Sequence, residues 1–302
     1  MSLGQDESDL IHGNSAVQPR IAFFIAIHAF ERQLEWLLKA IHNPHDIFVI
    51  HINRTSSDEF VRAVNAITAG LPNVHYLPRH EIIWGSWSIV EMTLAAMRFL
   101  CARSDAWTHF VNLSGQDYPL RPVSELRAFL GGTGATNFLS MRAIESQPYH
   151  IRRRLHWYCV EHAGKMRRLP IPNLRALCTP VEWYGDFWGI LTRDYCAWLV
   201  ESDVSRRYQR ALRHTKIPDE FFLQTLVMRS PFADTVVSDS RRYFKFLKTS
   251  PGPITITDEI SDEVLRSDAF FARKFNEQVD ASVLRRLAQR IGADGLAPAQ
   301  PG

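Results

Sequence analysis

Apolar residues fall into two kinds of run along this chain. "IAFFIAIHA" (21–29) and "DIFVIHIN" (46–53) are short and almost continuously apolar, as strands covered on both faces are. Between them, "FERQLEWLLKAIH" (30–42) carries Leu34, Leu37, Leu38 and Ile41 at helical spacing. Strand, helix and strand in about 30 residues predict a parallel βαβ unit. The alternation continues with a helix over 58–71, a strand at "VHYL", a helix over 88–102 and a strand ending in a polar loop over 108–120. A short helix follows over 124–130. Such a pattern predicts an α/β fold, a Rossmann-like sheet with helices on both faces.

Periodicity weakens over 131–184, which is rich in Gly, Arg and Pro and reads as long loops. It returns with a strand at "DFWGILT" (186–192), two helices over "RDYCAWLVES" and "DVSRRYQRALRH", and a third from "IPDEFFLQT" (217–225). "TVVSD" and "RYFKFL" read as strands and "DEVLRSDAFFARKF" (262–275) as a helix. The ends are polar or rich in Ala, Gly and Pro. The expected organisation is a flexible tail over 1–20, one folded domain over 21–285 and a disordered tail over 286–302.

The chain has 302 residues, ample length for a large core, and no apolar run long enough to span a membrane. The N-terminal stretch lacks the layout of a signal peptide. Four cysteines are widely spaced with no CxxC, which argues against a zinc cage or redox motif. These features give the expectation of a cytoplasmic protein with reduced thiols, peripheral at the inner membrane face. The formal net charge is only +3, yet eight Arg and Lys face two acids between Arg142 and Arg175. That segment is either a solvated loop face or a contact for an anionic partner such as a lipid surface or a charged glycan. Nucleic acid is not an expected partner, because no nucleic-acid-binding motif accompanies the charge.

Open α/β sheets bind ligands outside the carboxyl ends of their strands. The residues there are His28, Asn53, the segment "IIWGSWS" and "LSGQDYP" with Asp117. There is no GxGxxG and no GxxxxGK[ST], so dinucleotide and P-loop readings lack support. No Asp-x-Asp follows a strand and the histidines show no HxH or HxxxH, so no metal is expected. Asp219 and Glu220 follow Pro218, where acids favour a helix's first turn. They point about 100° apart, so they do not flank one bond as a hydrolase pair does. One of them could be a single general base. Arg273 and Lys274 could equally face the last turn of a helix or a diphosphate leaving group. Arg241, Arg242 and Lys245 lie nearby in sequence, and the tryptophans of "IIWGSWS" suit either a core or an aromatic wall.

Six segments occur in one order: "IHAFERQLEWLLKAIHNPHDIFVIHIN", "IIWGSWSIVEMTLAAM", "FVNLSGQDYPL", "GDFWGILTRDY", "IPDEFFLQTLV" and "FFARKF". Together they resemble the core-2/I-branching β-1,6-N-acetylglucosaminyltransferase family, which also contains the peptide O-xylosyltransferases. The resemblance runs from about Ile21 to Phe275. It implies a GT-A-like fold and an inverting transfer from a UDP-sugar to a glycan or glycolipid hydroxyl, with no divalent metal and no other cofactor. GlcNAc or xylose is the donor sugar it implies, and bacterial surface polysaccharide synthesis the expected setting. A non-catalytic nucleotide-sugar or glycan-binding relative is the alternative.

Residue by residue, the resemblance makes Glu220 the base and Lys274 a diphosphate contact, with Arg273 beside it. It puts Ala26 and Trp84 in the uridine pocket and Asn53 where the family has a nucleoside-binding aspartate. The family's second diphosphate arginine falls near Gly252, leaving Arg241 or Arg242 as substitutes. Its acceptor-side glutamate falls near Leu139 or Ser140, and its acceptor-side Trp–Tyr pair near Phe246 and Lys248. Asp117, Trp188, Phe246 and Lys248 are therefore the sugar- or acceptor-side candidates.

Overall fold

The computed structural model describes residues 18–103, 106–247 and 252–293. β1 (Ile21–Ile27) and β2 (Ile47–Ile52) are buried along almost their whole length. Such strands need cover on both sides, and α1 (Glu31–Ile41) supplies part of it through Leu34, Leu37, Leu38 and Ile41. α2 (Asp58–Thr68) starts on Ser57, whose hydroxyl accepts the Phe60 N–H, and leads to β3 (Val74–Tyr76). α3 (Ser88–Cys101) precedes β4 (His109–Ser114), and a tight turn gives β5 (Asp117–Pro119). α4 (Val123–Thr133) and β6 (Asn137–Leu139) follow.

The segment read as loops is more structured than its sequence suggests. β7 (Arg142–Ala143) and α5 (Tyr149–Arg152) lead into β8 (Trp157–His162) and β9 (Lys165–Pro172), an antiparallel hairpin. Its turn has Ala163 and Gly164 at positive φ, 49° and 69°, as a right-twisted two-residue connection requires. Most of the hairpin's residues are at least partly exposed on both faces, so no apolar alternation announces it. α6 (Leu174–Leu177) and β10 (Trp183–Tyr184), which pairs with β7, complete the segment.

β11 (Gly189–Thr192), α7 (Arg193–Glu201), α8 (Asp203–Leu212) and α9 (Asp219–Val227) follow in close succession. β12 (Val236–Val237) and β13 (Arg242–Tyr243) are two-residue ladders, shorter than the strands expected at "TVVSD" and "RYFKFL". The helix expected over 262–275 is only α10 (Ser261–Arg266). Ser267 turns to extended backbone, and Phe271–Arg273 becomes strand β14 because Phe270 and Phe271 bury into the core of the sheet. α11 (Ser282–Arg290) buries Val283, Leu284, Leu287 and Ala288. The domain therefore runs past 285, since four apolar side chains at helical spacing outweigh the polar composition around them. Of the two expected tails, 1–17 and 294–302 lie outside the described residues.

The main sheet has the order β12-β6-β11-β4-β1-β2-β3. β4, β1, β2 and β3 are parallel, β11 runs antiparallel between β4 and β6, and β12 joins β6 in parallel. Phe24, Val49 and Phe110 face α3, α7 and α9, while Phe23, Phe48 and Val111 face α1, α2 and α4. Helices thus cover both faces. A small sheet, β13-β14-β5, sits beside α11 over a third cluster that includes Tyr118, Phe275 and Leu284.

Candidate active site

At the carboxyl edge of the sheet, Ala26 pairs with His51 and Ser114, and His28 leaves β1 just beyond. Asn53 closes β2: its N–H donates to Ile27 O at 2.9 Å and its side-chain amide to Ile82 O at 3.3 Å. That second bond holds the loop carrying Trp84, whose side chain is 73% exposed. Gly85 follows at φ 75°, where an added Cβ would meet Ile217 at 3.2 Å. The Ile217 N–H donates to Gly85 O at 2.8 Å, and Ile217 itself sits at φ 55°, an uncommon place for a β-branched residue. The tryptophan loop is thereby stitched to the residue that opens α9. Ala26, His28, Asn53, Trp84 and the start of α9 form one continuous rim.

α9 begins with the two acids. The Glu220 carbonyl accepts the Gly185 N–H at 2.9 Å, so the helix start is also fastened to the strand edge. Close approach explains that glycine: a Cβ at Gly185 would lie 1.8 Å from Ser140 O. The Glu220 side chain is 26% exposed and is held by Arg154 in a short ion pair and by the Tyr184 hydroxyl. Burial and the Glu220 charge push that phenol up to about 12, so it remains a donor to the carboxylate.

The Asp219 carboxyl turns the other way, toward Val90, Thr93 and Leu94 of α3, although the residue as a whole is only partly buried. Burial, with the Glu220 charge added, raises its carboxyl to about 7, and one of its oxygens has no hydrogen-bond partner. The folded state then holds a proton that the unfolded chain, titrating near 4, gives up. The contribution of Asp219 to stability is fully present in acid and is lost as pH rises from about 4 to about 7. Between pH 5 and pH 8 this amounts to about 3 kcal/mol. In Asp219→Asn that part of the slope is expected to vanish. Urea midpoints across this range check it, and an unchanged slope would rule the protonated carboxyl out.

A basic cluster lies beneath the other end of the edge. Asp117 is fully buried and accepts the Ser114 N–H at 2.7 Å, the Ser114 hydroxyl at 2.5 Å and Arg242 Nη1 at 2.8 Å. Arg273 Nη1 stands 3.6 Å from it, an ion pair rather than a hydrogen bond. Both guanidinium groups lie over the Trp188 ring, at 5.2 Å for Arg242 and 4.0 Å for Arg273. Lys274 follows on the chain, half-buried; burial and the Arg273 charge lower its ammonium. His28 is lowered by burial and then by Lys274, which puts that cation beside the β1 terminus. Nearby, Asp186 is a buried carboxyl raised by desolvation, accepting the Trp188 N–H at 3.0 Å and the Ser240 hydroxyl at 3.2 Å.

Several sequence expectations change here. Arg273 and Lys274 sit at the end of strand β14, not on a helix. Asp117 is not open to a sugar hydroxyl, because two arginines and Ser114 occupy its oxygens. Arg242 is buried beneath Trp188 and committed to Asp117 and to Asn112 O at 3.0 Å. Arg241 points elsewhere, pairing with Asp239 and Asp268 and lying over Phe129. Both arginines are therefore already paired with carboxylates of the protein. Phe246 is an exposed ring at 5.5 Å from Phe244, and Lys248 lies outside the described residues. Arg154, Tyr184 and Asp186 belong to the site without having been singled out. The signal for Arg154 was present as a run of three arginines, read only as a patch.

The Core-2/I-Branching enzyme family model matches residues 21–267, ending just before β14. Human xylosyltransferase 2 is 29% identical over 306 residues, covering 93% of this chain and 35% of that protein. Human xylosyltransferase 1 is 27% identical over 308 residues, covering 94% and 31%. The chain spans about a third of the length of these curated relatives. Among solved structures, the galactosyltransferase LgtC in complex with donor and acceptor sugar analogs superposes with a TM-score of 0.47 at 12% identity, covering 93% of this chain and 97% of that one. The family match takes in the main sheet, the tryptophan loop and the acids of α9, and the chain belongs to the Core-2/I-branching enzyme family.

Proposed function

We propose that this chain is an inverting glycosyltransferase that moves a sugar from a UDP-sugar to a hydroxyl of a glycan or glycolipid acceptor, without a divalent metal. The observation that carries the reading is the continuous rim from Asn53 through Trp84 and the Gly85–Ile217 bond to the partly exposed Glu220 carboxylate. In the proposed reaction Glu220 takes the proton of the acceptor hydroxyl as that oxygen attacks the anomeric carbon. The bond from that carbon to the diphosphate oxygen breaks, its electron pair leaves with UDP, and configuration inverts. Lys274, supported by the field of Arg273, faces the charge that develops on the diphosphate. Arg154 and Tyr184 hold the carboxylate in one orientation, leaving a face of it for the acceptor.

GlcNAc and xylose are the donor sugars proposed, in polysaccharide synthesis; the relatives named xylosyltransferases make xylose the first to try. The short Arg154–Glu220 pair favours the second reading, a nucleotide-sugar or glycan-binding relative without turnover, since it engages the base. UDP release from UDP-xylose and UDP-GlcNAc, measured over an acceptor panel with EDTA present, separates the two. Turnover resistant to EDTA is expected. Turnover lost on chelation would remove the metal-free part, and donor binding without turnover under any condition would leave the binding relative.

A further inference from the structure

We infer that the edge formed by β9 and α6 is a docking surface for an anionic lipid membrane. From Lys165 to Cys178 the chain carries Lys165, Arg167, Arg168 and Arg175 and no acid. All four cations are exposed, with Lys165 and Arg167 on one face of the hairpin and Arg168, 5.1 Å over the Trp157 ring, on the other. Three aliphatic side chains are exposed among them: Leu174 is 65% exposed, Ile171 49% and Leu177 47%. Leu174 and Leu177 are three apart on α6 and share one face of it. Asn173 caps that turn, its side chain accepting the Ala176 N–H, and Ala176 is buried, so the leucines are presented by an anchored turn.

Cations alone would suit any polyanion. Exposed leucines within a cationic strip fit a surface that is charged outside and apolar a few ångströms down, as a lipid headgroup layer is. Stable anchoring takes two signals, and this edge combines a basic cluster with aliphatic insertion. No helix among the described residues is long and apolar enough to cross a membrane. The surface excludes Arg154 and does not depend on the transfer reaction.

The test is co-sedimentation of the full chain with vesicles of phosphatidylcholine alone or with phosphatidylserine added. Binding is expected only with phosphatidylserine. Each cation removed should weaken it about fivefold, so Lys165→Gln/Arg167→Gln/Arg175→Gln should lose on the order of a hundredfold. Leu174→Ser/Leu177→Ser should also lose most of the binding, with circular dichroism unchanged in both variants. No binding to charged vesicles, or equal binding to neutral ones, overturns the inference. Binding that survives the leucine changes also overturns it, and makes the strip a general polyanion contact.

Discussion

Glu220→Gln is expected to lose about a thousandfold in kcat while donor binding stays close to that of the parent. The substitution keeps the shape of the side chain and one acceptor oxygen, so Tyr184 can still donate to it. It removes the basicity that would take the acceptor proton and the charge that pairs with Arg154. The stability change should be small, because both side chains of that pair reach solvent and partly exposed ion pairs contribute little. Loss of turnover with an unchanged unfolding midpoint would separate chemistry from folding. A variant that keeps most of its turnover would remove Glu220 from the role of base. Asp219→Gln is a poor control, since the longer side chain must enter a packed core; Asp219→Asn is the suitable one.

Asp117→Ala is expected to cost about 3–5 kcal/mol, the usual result of stranding a buried charge. Two cations depend on this carboxylate, Arg242 at 2.8 Å and Arg273 at 3.6 Å, and both are themselves buried. Burial already lowers both guanidinium groups, and Asp117 opposes that shift. Asp117→Leu combined with Arg242→Met and Arg273→Met should be less damaging than Asp117→Ala alone, because the carboxylate and both of its cations then leave together. Urea midpoints of the variants form the measurement. If Asp117→Ala unfolds at nearly the parental midpoint, the cluster is not what fastens the small β13-β14-β5 sheet to the main one.

The parts of this molecule legible in its sequence were those set by local periodicity. The apolar runs at 21–27 and 47–52 and the leucines of 34–38 announced parallel strands and their covering helix directly. The tip of α9 was legible as a helix start, but local pattern did not separate its two acids; only the family resemblance singled out Glu220, because the answer depends on α3 behind the helix. Long-range partners were hidden. Arg242 lies 125 residues from Asp117 and Arg154 lies 66 from Glu220. "FFARKF" read as a helix because apolar residues beside cations fit a helix's last turn; its pairing with β5 is a contact across some 150 residues. The hairpin β8–β9 escaped notice because neither face is apolar.

The Gly85–Ile217 stitch also bears on how relatives of this chain can be recombined. A segment swap that exchanges only 82–86 would bring a foreign backbone against an isoleucine already in the left-handed region. The helix start, and with it the Glu220 carboxylate, would have to shift to meet it. Exchanging 82–86 and 217–220 as one unit keeps the two halves matched. The hairpin β8–β9 is fastened to this part of the chain chiefly through Cys159, whose N–H donates to His214 O at 2.8 Å. It is the natural cassette to exchange when the aim is to redirect the protein to new partners.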